Sequence, residues 1–218
     1  MKRFGWALVA GALMVSAGLE TAAAQERPFE LGFRFGLGVG MQSVDPGETD
    51  GSRVGITAGG IVGFPVAPNV AVETGLLYEL RGAKYASSFE FGGDTFSVES
   101  TAKLDYLVIP AVARMSFGTD GGTRPFVLGG LDLGFLMKAE SDVKDGDKTD
   151  IKDALKSTDF SLRLGGGVEI PAGGYDFVVG AAYALGLTDI SDATSVDGVD
   201  DSGSIKNRTL TVTAGVNF

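Results

Sequence analysis

Ten charged residues of both signs stand in segments where every second residue is apolar: Arg34, Glu73, Glu79, Arg81, Arg114, Asp132, Lys138, Arg163, Glu169 and Asp176. Carboxylates and guanidiniums on one face suit ion pairing, or a charged conduction or ligand path, better than catalysis. The chain contains no histidine and no cysteine. Without an imidazole or thiol, Ser-His-carboxylate hydrolases, histidine-dependent acyltransferases and Asp-His proteases lack their general base or activated nucleophile. A catalytic metal would need carboxylates alone, which favours hard ions over zinc. No enzyme activity, cofactor or catalytic metal is therefore expected.

Two other groups invite a chemical reading. Gly36-Leu37-Gly38-Val39-Gly40 resembles a phosphate loop only in composition, because no helix follows and its glycines fall on alternate strand positions. Their use is steric: Gly32, Gly36, Gly38, Gly40, Gly75, Gly130, Gly134, Gly165 and Gly167 make room for larger neighbours. The acidic runs Asp142, Asp145, Asp147, Asp150, Asp153 and Asp189, Asp192, Asp197, Asp200, Asp201 offer oxygen ligands but lack the spacing of a calcium loop. They read as solvated, mobile loops.

Period-two segments must position the charges. In the last of them Leu210, Val212, Ala214, Val216 and Phe218 form an apolar row, against Thr211, Thr213, Gly215 and Asn217. A bilayer outside and a polar lumen inside demand that division. Eight such segments occur: 29–42, 53–64, from 70, up to 117, 125–139, 160–170, 175–188 and the terminal one. The facing of the second is ambiguous. Pro110 lies within the fourth and cannot donate to a ladder, so a bulge is expected there, leaving the parity of Tyr106 and Val108 open.

Links alternate in length. Those at 65–69, 118–123 and 171–174 are short and rich in Gly, Pro and Asn; those at 43–52, 83–102, 140–156 and 188–206 are long and polar. Gly92-Gly93-Asp94 reads as a hairpin turn, raising the third and fourth strands as a ribbon. Phe29, Phe64, Phe117, Tyr175, Phe177 and Phe218 fall at the short-link ends, as an aromatic girdle would. The expected fold is all-β, an eight-stranded antiparallel up-and-down transmembrane barrel. Its lumen would be plugged by ion pairs among Arg34, Glu73, Glu79, Arg81, Arg114, Asp132, Arg163 and Glu169.

At the other end Lys2 and Arg3, an apolar stretch from Trp6 to Leu19, and Ala22-Ala23-Ala24 read as a signal peptide over 1–24, with the barrel domain over 25–218. The absence of cysteine leaves no lipobox for N-terminal lipidation and no disulfide framework. A net charge of −10 argues against nucleic acid as a partner.

The segments Glu73-Thr74-Gly75-Leu76-Leu77-Tyr78 through Tyr85 and Lys103 through Pro110 carry a resemblance. Pro125 to Gly130, Gly165 to Ile170, Tyr183 to Thr188 and Asn207 to Leu210 extend it. In order and spacing they resemble the outer-membrane β-barrel domain family, the PorT-like or "porin family" small barrels of Bacteroidetes and relatives. The resemblance implies a small monomeric barrel in the outer membrane, in contact with lipid, without a defined biochemical activity in most members. Where that family often carries a carboxylate this chain has Val108, so no charge pair is expected there. In this class the terminal aromatic, Phe218, implies a signal to the barrel assembly machinery. The expected role is structural or surface-interacting, through the long loops and a surface partner. The rivals are a narrow passive pore and a soluble lipocalin-like ligand-binding barrel, which would need an apolar lumen and a polar exterior.

Overall fold

The alternation of apolar and polar residues becomes eight strands of 12 to 23 residues. The computed structural model describes residues 28–45, 49–91, 94–118, 122–144, 146–192 and 204–218. The expected signal peptide therefore lies outside the described residues, as do Gly92, Gly93, Asp145, Asp197, Asp200 and Asp201. The strands are β1 (Glu30–Asp45), β2 (Gly51–Ala67), β3 (Val70–Phe91), β4 (Asp94–Ser116), β5 (Arg124–Val143), β6 (Lys148–Asp150), β7 (Thr158–Ala172), β8 (Tyr175–Gly186) and β9 (Ser204–Asn217). Among the described residues one 3₁₀ turn covers Lys152–Ala154.

Eight strands pair antiparallel with their chain neighbours, and β9 returns to β1 from Gly32↔Asn217 to Asp45↔Ser204, so the sheet closes. The short β6 only folds back on β5. Following partners round the wall leads from Leu31 through Val62, Thr74, Ala111, Leu131, Leu162, Leu185 and Arg208 to Met41, ten residues further along β1. Such a stagger requires strands tilted by about 35–45° around an interior just wide enough for side chains.

The facing follows the alternation. Phe33, Phe35, Leu37, Val54, Ile56, Leu76, Leu131, Leu164, Val179, Leu210 and Val212 are exposed on the outer wall, while Arg34, Thr57, Glu79, Asp132, Arg163 and Thr211 are buried inside. The facing of β2 is thereby settled. A polar lumen inside an apolar exterior is the reverse of a lipocalin. Along β4 the apolar row Leu107 to Phe117 spans, at about 3.3 Å per residue and this tilt, roughly 25 Å, the height of a bilayer-facing band. Phe29, Phe64, Phe117, Tyr175 and Phe177 lie exposed at the short-turn rim. Phe218 is half-buried there and extends the β1–β9 ladder, its N–H donating to the Leu31 carbonyl at 2.8 Å.

Two expectations about irregularities need correction. Pro110 makes no bulge: it stays opposite Asp132, and the inward row runs unbroken through Leu104, Tyr106, Val108, Pro110, Val112 and Arg114. Its missing N–H interrupts only the bridges to β3, between Thr74↔Ala111 and Leu77↔Val108. The register shift sits instead between Asp105↔Lys138 and Tyr106↔Leu136, leaving Met137 as the extra residue of β5. Lys138, expected in the lumen, is therefore turned outward, where it pairs with Glu140 at 2.8 Å.

The short links are tight turns. Gly173 and Gly174, at φ of 63° and 90°, join Ala172 to Tyr175 with the two positive dihedrals that a two-residue hairpin favours. At the other rim β3 and β4 outrun their neighbours, and from Ser87↔Val98 to Phe91↔Asp94 they pair, among the described residues, only with each other.

The loops between β5 and β7 and between β8 and β9 are not simply solvated. Where described, they fold over the mouth and bury Ile190 completely, against Leu104, Tyr106, Leu136 and Ala139 with Ile151, Leu155 and Ile205 packed around them. The Lys156 N–H donates to the Ile190 carbonyl, the Ile190 N–H to the Ile205 carbonyl, and Leu155 bridges Ser191.

Candidate functional site

The lumen holds two layers of ion pairs separated by a small cavity. In the layer nearer the short-turn rim, Arg114 reaches out from β4 and contacts three carboxylates. Its Nε lies 3.2 Å from Glu73, its Nη1 3.2 Å from Glu169, and its Nη2 3.4 Å from Glu30. Glu169 also pairs with Arg124 at 3.1 Å and accepts from Asn217 at 3.2 Å, and Arg124 meets Asp176 at 2.9 Å. The Arg114 guanidinium covers the Phe126 ring at 5.6 Å. Arg34 shares this layer, but among the described residues it donates only to the Phe33 carbonyl, at 3.2 Å, and forms no salt bridge.

The second layer is tighter. Glu79 lies between two arginines, accepting from Arg81 at 2.8 and 3.0 Å and from Arg163 at 2.7 Å. Arg163 grips Asp132 through Nε at 2.8 Å, and Arg81 reaches Asp159 at 3.0 Å while stacking 5.1 Å above the Tyr106 ring. Asn207 donates to Asp159 at 3.0 Å and accepts from Gln42, which in turn accepts from Tyr85, so the polar chain extends upward to the mouth. These layers draw residues from β1, β3, β4, β5, β7, β8 and β9, because the stagger sets inward positions of distant strands at one level.

Between the layers lies a cavity of about 70 Å³, walled by Ile61, Leu77, Val112, Phe126 and Val178 and capped by Arg34, Glu73, Arg114 and Arg163. Val108 is fully buried in the lumen. A second hollow, of about 430 Å³, opens above the wall between Asp50, Lys84, Tyr85, Glu99, Thr101 and Asp142.

Sequence reasoning missed Glu30 and Arg124 at the lower layer and Asp159, Asn207 and Tyr106 at the upper one. Asp159 carries a usable signal, since it shares the parity of Ser161 and Arg163 one residue before the expected segment at 160–170. Of the acidic loop residues, Asp142 pairs with Lys103, and Asp189 accepts from the backbone N–H of Ser191 and Ile205 at 3.1 and 2.8 Å. Among the described residues no group of three acidic side chains is placed to hold a metal ion.

Comparison with known proteins places this architecture. No curated protein sequence is significantly similar to the chain. Among solved structures, the Neisseria surface protein A barrel is similar at 16% identity and a TM-score of 0.50, covering 87% of this chain and 96% of that one. The attachment invasion locus protein Ail of Yersinia pestis and the N-terminal barrel domain of OprF from Pseudomonas aeruginosa align at 16% and 15% identity, with TM-scores of 0.40 and 0.41. They cover 87% and 89% of this chain and 99% and 100% of theirs. The family model described as "Outer membrane protein beta-barrel domain" matches residues 23–192. The chain belongs to the outer membrane β-barrel domain family and is a protein of the bacterial outer membrane.

Proposed function

We propose that this barrel is a closed, non-catalytic outer-membrane anchor whose long loops form a surface for interaction outside the cell. The observation that carries the reading is the pair of ion-pair layers across the lumen, with only about 70 Å³ of space between them. Glu79, Arg81, Asp132, Arg163 and Glu169 are each no more than 7% exposed. Breaking such pairs to pass an ion would strand buried charges, a cost of about 3–5 kcal/mol for each pair broken. The lid seated on Ile190 adds an apolar seal above them. Lack of an imidazole or thiol supports a role in display rather than catalysis.

The absence of native cysteine allows a clean test, because single introduced thiols carry the whole signal. Thr57 lines the central cavity and is buried, whereas Ala154 lies exposed in the lid loop. In intact cells Ala154→Cys should react readily with a charged, membrane-impermeant thiol reagent, and Thr57→Cys should not. Equal labelling of the two would mean an open lumen, and absent labelling of Ala154→Cys would mean that the loops do not face outward.

A further inference from the structure

The upper lumen layer is one positive charge short. Among the described residues Glu79, Asp132 and Asp159 form salt bridges there only with Arg81 and Arg163. Within Asp159 the load is uneven. Oδ2 accepts from both Arg81 Nη1 and Asn207 Nδ2, at 3.0 Å each, whereas Oδ1 is buried without a hydrogen-bond partner. Ser161 Oγ and Thr209 Oγ1 are buried and unpartnered as well, on residues 1% and 2% exposed.

These three oxygens belong to one stretch of wall. Asp159 and Ser161 are successive inward residues of β7, and Thr209 follows Asn207 on the inward row of β9. The strand between them, β8, presents only Gly186 and Ala184 at that level, opposite Ser161 and Thr209 respectively. A Cβ at Gly186 would lie 2.4 Å from the Asn207 carbonyl oxygen, so this position takes no side chain. The gap lets Asn207 reach Asp159 across the wall and leaves these three oxygens without a neighbouring side chain from β8. Burying a charged oxygen and two hydroxyls without partners is unfavourable.

We infer that these buried oxygens bind one small monovalent cation of the sodium class, with Asp159 Oδ1, Ser161 Oγ and Thr209 Oγ1 among its ligands. Oxygen donors select a hard cation, and the single excess negative charge matches a single positive one. The central cavity, which touches Arg163 and Thr211, adjoins the layer from below. The site does not depend on the barrel being non-conducting, and its test applies no voltage, so the two readings stand or fall separately.

The experiment measures the unfolding midpoint of the refolded full barrel in neutral detergent at constant ionic strength, with sodium, potassium or N-methyl-D-glucamine as the cation. The midpoint should rise with sodium by roughly 3 °C per tenfold increase above half-saturation. N-methyl-D-glucamine, too large to reach oxygens on residues no more than 2% exposed, should have no effect. Asp159→Asn should abolish the dependence, and Ser161→Ala should shift it to higher sodium. Should Asp159→Asn fail to fold, broadening of the ²³Na resonance by wild type but not by Thr209→Val gives the same answer. Identical midpoints in all three salts would overturn the site in favour of a bound water. A midpoint that responds to pH but to no cation would overturn it in favour of a proton on Asp159.

Discussion

Glu79 and Arg34 both face the lumen, yet their surroundings separate them. Glu79 receives hydrogen bonds from two arginines at 2.7–3.0 Å and is 1% exposed, whereas the buried Arg34 has one bond, to the carbonyl of its own neighbour. Glu79→Ala should therefore destabilise the barrel by about 3–5 kcal/mol, through two guanidiniums that each lose a buried partner. Arg34→Ala should cost only ~1 kcal/mol, the worth of an ordinary hydrogen bond. Equilibrium unfolding in urea with the protein in lipid vesicles checks both, and equal losses would contradict the assigned pairing. Alternation along a strand reveals which residues face inward, but not at what height each meets its neighbours. That height depends on a stagger summed over eight strands, so Arg34 and Arg163 look equivalent in sequence while only Arg163 is ion-paired.

The element that sequence reasoning misjudged is the lid. Ile151, Leu155, Ile190 and Ile205 are scattered apolar residues in acidic stretches, with no period to mark them, and they acquire a partner only once the barrel offers a mouth to fill. Ile190→Ala should loosen the lid by about 2–5 kcal/mol, the usual range for a fully buried aliphatic residue. Faster proteolysis of the β8–β9 loop, with the barrel still folded, is the expected sign. Asp189 adds a pH dependence. Burial alone would raise its pKa, but the N–H groups of Ile205 and Ser191 outweigh that and hold it below its ordinary 3.8. A carboxylate depressed on folding stabilises above its unfolded pKa and loses that contribution as pH falls through the folded one. Amide protection at Ser191 and Ile205 should thus fall below about pH 4, and Asp189→Ala should remove the dependence. The bulge at Met137 was equally illegible, since no Gly or Pro marks it, and it alone turns Lys138 to the outside. Pro110 was conspicuous but causes no shift, because a missing donor breaks bridges without inserting a residue.

At the scale of the whole molecule the fold was largely readable. Two-residue periodicity, clear in most of eight segments, with short and long links in alternation, leaves few architectures other than a closed meander, and the observed ladder closes between β1 and β9. An apolar exterior sets the barrel in a bilayer, and the two charged layers across the lumen support the proposed closed barrel over a channel. The central claim is that nothing flows through. Single-channel recording of the purified barrel in planar bilayers tests it most directly. The wild type should show no steady conductance across the physiological voltage range, at low and at high salt. Reproducible open channels in the wild type, with ion selectivity altered by Glu79→Ala or Arg163→Ala, would contradict the closed barrel and establish a pore.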